Sequence, residues 1–346
     1  MTPAALACWL ALAAMAANVP QAPLDAIFAP LATAKTPGFA VLVRQHGRTL
    51  FERGYGVRDL RTFAPIGGET DFRLASCTKQ FTAMAIMLLV HDGKLRYDGR
   101  LSELLPGFPP YAQAITVRHL LTHTAGLPDY EDLMGSAWTA SHQIQDDEVL
   151  RLLQHAPSPK FAAGTNWQYS NSAYVVLGLI AAKVSGEPFE QLLQNRIFGP
   201  LRMTHTLAFV NGRNTVPQRA YGHTRFGEQF RETDQSPTSA TLGDGGVYSN
   251  LEDLAKWDDA LRQYTLLGED EMRAALTPAS HSYGFGWYLD PLGTHRRMWH
   301  TGETEGFRTA IERFYDDHLT VIVLANRTDF DAGNLAVRTA RVLLKP

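Results

Sequence analysis

The sequence predicts an α/β (α+β) fold: an antiparallel sheet built from both chain ends and flanked by helices, with a largely helical region inserted between them. Three observations predict it. Strand-like runs cluster near the two ends of the chain, helical spacing fills the middle, and an early pair of strands has no neighbouring partner although a two-stranded ribbon does not stand alone. At 346 residues the chain can bury a large core, and length leaves one big domain or two interleaved ones equally open. The expected division is a leader at residues 1–17, a sheet domain from 23–77 and 240–346, and a mostly helical insertion with cleft loops at 78–239.

Residues 1–17 carry no charged side chain and end in the small residues Ala16 and Ala17, as a secretory signal peptide does. A periplasmic or secreted protein follows, with an apolar membrane anchor as the alternative. Cys8 lies in this stretch, so its removal leaves Cys77 as the only cysteine and excludes an intramolecular disulfide. No later stretch has the ~20 apolar residues of a membrane-spanning helix. Leu24, Ile27, Phe28 and Leu31 are spaced for a helix within residues 23–34. Strands follow at Phe39–Arg44 and Arg48–Arg53, joined by Gln45-His46-Gly47.

A helix is expected from Thr78 to His91, with Phe81, Met84, Ala85, Leu88 and Leu89 on one buried face and Gly93 as a left-handed cap. Further helices are expected at Val117–Thr122, Asp147–Gln154, Tyr174–Val184 and Phe189–Arg196. Thr204–Gly243 reads as long loops around a cleft, and Asn250 as a helix cap. Strands are then expected at Tyr283–Tyr288, Arg296–His300, Arg308–Tyr315 and Leu319–Leu324, and a last helix at Ala332–Leu344. A net charge of −3 without a lysine and arginine run excludes a nucleic-acid partner. His119 and His123 have the i, i+4 spacing of a zinc pair but lack the companion glutamate and a third ligand, so a structural role is expected rather than a metal site.

The chemistry is expected around Ser76 and Lys79, three residues apart where an apolar helix begins. Such residues share a helix face, so the amine can reach the hydroxyl, and a desolvated lysine loses its proton readily enough to serve as base for a serine nucleophile. Cys77 is not the expected nucleophile, since no Cys–His pattern accompanies it. Tyr169, before another apolar helix, is a candidate proton relay, and Asn171 a candidate partner for Lys79 or a substrate carbonyl. His300, Thr301, Gly302 and Glu303 follow a strand-like run, where the Glu303 amide can join that of Ser76 as an oxyanion hole. Taken singly, each of these motifs is also compatible with a cap or a turn.

Ser76-x-x-Lys79, Tyr169-Ser170-Asn171 and His300-Thr301-Gly302, in this order, resemble the three motifs of the class C β-lactamase and D-alanyl-D-alanine carboxypeptidase superfamily of serine hydrolases. Leu120–Leu127, Ile197–Met203 and Gly245–Leu254 resemble its framework, and the likeness covers roughly residues 37–326. It implies acyl-enzyme chemistry at Ser76 with Lys79 and Tyr169 handling protons, and no cofactor. His300 stands where many β-lactamases carry lysine, and Glu303 and Glu305 follow it. A substrate carboxylate therefore lacks its cation unless Arg308 compensates, and neutral esters or amides are expected to suit the site at least as well. The expected function is an exported hydrolase of the D-alanyl-D-alanine carboxypeptidase or esterase type, acting on a small molecule or peptide. A β-lactamase is the alternative enzyme, and a penicillin-binding sensor that acylates without turnover the non-enzymatic one.

Overall fold

The computed structural model describes residues 21–345; the predicted leader lies outside the described residues. Strands β1 (Phe39–Gln45) and β2 (Arg48–Tyr55) meet β3 (Arg297–Thr304), β4 (Phe307–Phe314) and β5 (Leu319–Ala325) in one antiparallel sheet of order β3-β4-β5-β1-β2. The early hairpin finds its partner 280 residues later: Val41 lies opposite Val323 and Leu42 opposite Ile322. Its two-residue turn, His46-Gly47, has φ of 51° and 75°, the doubly left-handed form that matches strand twist.

β1 and β5 are apolar on both faces because both faces are covered. Phe39, Val41, Val43, Val321 and Val323 pack under helix α1 (Gln21–Phe28) and a C-terminal helix at Ala332–Arg341. Ala40, Leu42, Ile322 and Leu324 face the other way, into the larger core. Successive side chains of a strand point to opposite faces, so one alternating run serves two layers.

That larger core is built on α2 (Lys79–His91), with α3 (Asp146–His155) and α4 (Asn171–Ser185) behind it. The sequence predicts one buried face for α2, yet every residue from Lys79 to Leu89 is buried. The helix sits between the sheet side and the inserted helices, and a helix enclosed on all sides has no solvent face. It ends in a Schellman motif. Lys94 N–H donates to Leu89 O, Gly93 N–H donates to Val90 O, and Gly93 has a φ of 69°.

Several expectations differ, among them the strand expected at Arg296–His300, which runs on to Thr304, and the helix expected at Phe189–Arg196, which is α-helical only to Leu193. Tyr283–Tyr288 is a turn rather than a strand, because Gly286 takes a φ of 78° to fit against the Lys79 carbonyl and Gln80. Within 204–243, His223–Phe226 and Gln229–Glu232 pair as a short hairpin in a stretch read as loop. The last helix stops at Arg341, three residues short of the expected Leu344.

Helix α5 (Leu251–Gln263), capped by Asn250 Oδ1 on Asp253 N–H, locks onto the sheet through Asp258. This buried carboxylate accepts from Arg44 of β1 at 3.0 Å, Arg313 of β4 at 2.8 Å and Thr320 of β5 at 2.7 Å.

Candidate active site

The Ser76 segment is presented by a sharp turn. Phe72–Arg73 pairs with Val247–Ser249, the chain turns at Ala75 with a φ of 47°, and a single 3-10 turn, Ala75–Thr78, leads into α2. The left-handed conformation costs a residue with a Cβ about 1–2 kcal/mol, held here by the packing of both flanks. From Asp71 to Gln80, Ser76 alone is not buried.

Lys79 is fully buried, and its Nζ makes three contacts: Ser76 Oγ at 3.0 Å, Asn171 Oδ1 at 2.8 Å and the Asp244 carbonyl at 2.8 Å. Asn171 turns its oxygen to Lys79 because its Nδ2 donates to Glu131 Oε1 at 3.2 Å. Burial pulls the Lys79 ammonium down to about 8, against the nearby charge of Asp244. Once neutral, the amine has two N–H donors and one lone pair. Asn171 Oδ1 and Asp244 O can only accept, so the lone pair is left facing Ser76, the one partner with a proton to give.

Asn171 is free for this role because it is not the cap of its helix. Ser170 is, accepting from Ala173 N–H at 3.1 Å, and Asn171 is the first helical residue. Tyr169 lies just before, with Lys79 Nζ 4.9 Å from its ring centre. Its phenol is pushed well above the ordinary range by burial, with the neighbouring Ser76 hydroxyl working the other way, so it stays protonated at neutral pH.

The third segment lies on β3, the edge strand. Trp299 pairs outward with Tyr288, so by alternation the Glu303 N–H also faces the open edge. Gly302 lets the strand approach the Ser76 turn: a Cβ there would lie 2.1 Å from Leu74 O. Cys77 Sγ–H donates to His300 O at 3.3 Å and Thr309 Oγ1–H to Leu74 O at 2.8 Å, tying the turn to the sheet. Burial pushes the Cys77 thiol up to about 12, so it remains a thiol.

His300 is buried and neutral, its imidazole pulled down to about 3 by burial first and then by Lys79. Its Nδ1–H donates to Thr301 O at 2.6 Å, and Nε2 accepts from Tyr283 O–H at 3.1 Å. Thr301 sends its methyl toward Gly333 at the C-terminal helix. Glu303 has Arg308 3.6 Å away and lines the cleft beside Ser76, together with Arg73, Tyr130, Glu131, Asn171 and Asp244.

His123 carries more than the structural role its spacing suggests. His119 caps its own helix, its Nδ1 accepting from Thr116 N–H, whereas His123 is buried beside Tyr169 with ring centres 4.5 Å apart. His123 O accepts from Gln168 N–H at 3.0 Å and its Nδ1 from Ser170 N–H at 3.1 Å, one bond on each side of Tyr169. Sequence spacing hides this clamp, since 46 residues separate His123 from Tyr169. Asp244 was equally hidden; its one signal is the surrounding run Gly243, Gly245 and Gly246, which marks close backbone approach.

The chain is similar to several known proteins. A penicillin-binding protein of Bacillus subtilis (strain 168) is 32% identical over 311 residues, which make up 84% of this chain and 68% of that protein. The flp proteins of Staphylococcus aureus are 25–26% identical over 59% of their length, so the chain spans about three fifths to two thirds of these relatives. Among solved structures, a penicillin-binding protein from Bacillus halodurans superposes with a TM-score of 0.78 at 28% identity, covering 88% of this chain and 95% of that one. D-amino acid amidase from Ochrobactrum anthropi SV3 superposes at 0.80 and 26%, covering 95% and 97%. The Beta-lactamase family model matches residues 24–344. With sheet, inserted helices and all three motif segments inside that span, the chain belongs to the beta-lactamase family of serine hydrolases.

Proposed function

We propose that the protein is an exported hydrolase that forms an acyl-enzyme on Ser76 and cleaves amide or ester bonds whose leaving group need not carry a carboxylate. The contact set of Lys79 carries the reading: two acceptors hold its N–H groups and leave its lone pair for the Ser76 proton. Ser76 Oγ bonds to the substrate carbonyl carbon as its proton passes to Lys79 Nζ. The Ser76 and Glu303 N–H groups receive the negative oxygen. Tyr169 gives its proton to the departing group and regains one from Lys79. Water then attacks the acyl ester, its proton leaves through the same pair, and Ser76 recovers its own.

The neutral His300 supplies no fixed cation for a terminal carboxylate, which favours amides and esters over carboxypeptidase substrates and β-lactams. The likeness to an amidase supports the amide arm, and the uncharged apolar stretch at residues 1–17 supports export. Mass spectrometry after exposure to a fluorophosphonate tests the nucleophile. Wild type gains the adduct mass and Ser76→Ala does not; equal labelling or equal turnover by the variant overturns the assignment. Hydrolysis of a p-nitrophenyl ester far slower than that of a D-Ala-D-Ala peptide overturns the substrate preference.

A further inference from the structure

A cavity of about 240 Å³ lies at the opposite end of β3 from Glu303 and shares no lining residue with the cleft beside Ser76. It opens between the last turn of α5, the segment Met272–Leu276 and the neighbouring ends of β3, β4 and β5. Its walls are apolar, with Leu261, Met272, Met298 and Phe314 all buried. Tyr264 lines it too, an exposed ring on the left-handed residue, φ 55°, that ends α5. The floor carries charge. Arg313, part-buried, donates from Nε to Asp258 Oδ1 at 2.8 Å and from Nη2 to Asp258 O at 3.4 Å, whereas Nη1 finds among the described residues only the Met298 thioether, at 3.3 Å. A thioether is a weak acceptor, so the guanidinium keeps donors to spare beside the cavity. Its charge is not matched either. Asp258 is shared with Arg44, which also takes Asp259, and Asp259 is shared again with Arg262, so three guanidinium groups meet two carboxylates. Arg262 lies in the last turn of α5 and offsets the negative end of that helix, which leaves the cavity positive. Asp316 and Asp317, in the turn between β4 and β5, are taken by Arg296 and His295.

We propose that this cavity is a binding site for a small aryl carboxylate, with its ring among Met272, Met298 and Phe314 and its carboxylate on the spare N–H groups of Arg313. A cavity of about 150 Å³ is enough to take up benzene, so this one has room for a ring and a short acid chain. Methionine sulfur and aromatic edges favour a flat ring. A guanidinium binds a carboxylate through two parallel N–H groups, and the surplus positive charge favours an anion over a neutral ligand or a cation. The site is separate from the acyl-enzyme chemistry and does not depend on it.

Isothermal titration calorimetry at neutral pH and fixed ionic strength compares phenylacetate, phenylacetamide and acetate on the wild-type protein. Phenylacetate is expected to saturate one site about tenfold or more tighter than phenylacetamide, which keeps the ring without the charge, and than acetate, which keeps the charge without the ring. No saturation by about 10 mM phenylacetate, or equal affinity for the amide, overturns the proposal. Two variants locate the site. Leu276→Trp fills the cavity and should weaken phenylacetate about tenfold or more, and Arg313→Gln should abolish the preference for the acid over the amide. With folding checked by circular dichroism, unchanged binding in Leu276→Trp puts the ligand elsewhere, the Ser76 cleft included, and overturns the assignment, as does a preference that survives Arg313→Gln. If Arg313→Gln fails to fold because it borders the Asp258 network, the wild-type ratio of acid to amide still decides.

Discussion

At the scale of single residues, the site turns on protons whose positions the hydrogen bonds dictate. Lys79 must be neutral to accept from Ser76, and its ammonium titrates near 8, so kcat/KM should rise with pH through a limb near 8 and fall away below it as the amine regains its proton. A pH profile with no limb between 7 and 9 would count against Lys79 as the base. Lys79→Arg keeps the charge without a removable proton and should lower kcat roughly 10³-fold or more, with folding judged by circular dichroism. His123 touches Tyr169 and the backbone on either side of it, and is proposed to act through it. Asparagine can place an oxygen near the position of Nδ1, so His123→Asn should retain kcat within about tenfold, while His123→Leu, which leaves the Ser170 N–H unpaired, should lose about 100-fold. Equal losses in both variants, measured as kcat against KM, would reduce His123 to a packing residue.

At the scale of elements, the proposed oxyanion hole depends on how closely edge strand β3 approaches the turn that carries Ser76. Gly302 makes that approach possible, and a side chain there meets the Leu74 carbonyl, which is backbone and cannot swing aside. Gly302→Val should therefore displace the Glu303 amide from the oxyanion position, reducing fluorophosphonate labelling about 100-fold or more even in protein that remains folded. That the first hairpin shares a sheet with strands from the other chain end was legible, because two strands do not stand alone; that β5 is the neighbour of β1 was not, since both runs are apolar on both faces. The Tyr283–Tyr288 turn was not: its aromatic alternation suits a strand, and only the crowding of Gly286 against the start of α2 excludes one.

For the whole molecule, the two ends of the chain close one sheet and the inserted helices complete the cleft, so the parts are coupled through a few buried polar knots. Asp258 is the clearest, joining α5 to β1, β4 and β5. Its replacement by alanine leaves the part-buried Arg313 without its carboxylate and the buried Arg44 with Asp259 alone. Asp258→Ala is expected to cost about 3–5 kcal/mol in urea unfolding, because an uncompensated buried charge costs more than a pair gains. A loss below about 1 kcal/mol would show that solvent reaches the knot. Among the described residues no helix is long and apolar enough to cross a membrane.

The sequence by itself determined the local features: the five runs that form the main sheet, where α2 ends, and that Ser76 and Lys79 share one turn, since these follow from periodicity, turn chemistry and helix spacing. Only the tertiary structure decided which atom of Asn171 faces Lys79, that His300 is neutral with both ring nitrogens engaged, that the Thr301 methyl meets the C-terminal helix, and that His123 stands beside Tyr169 and Asp244 beside Lys79. Those properties belong to contacts between residues tens to hundreds of positions apart, and burial, which sets the charge of each group, exists only once the chain has packed.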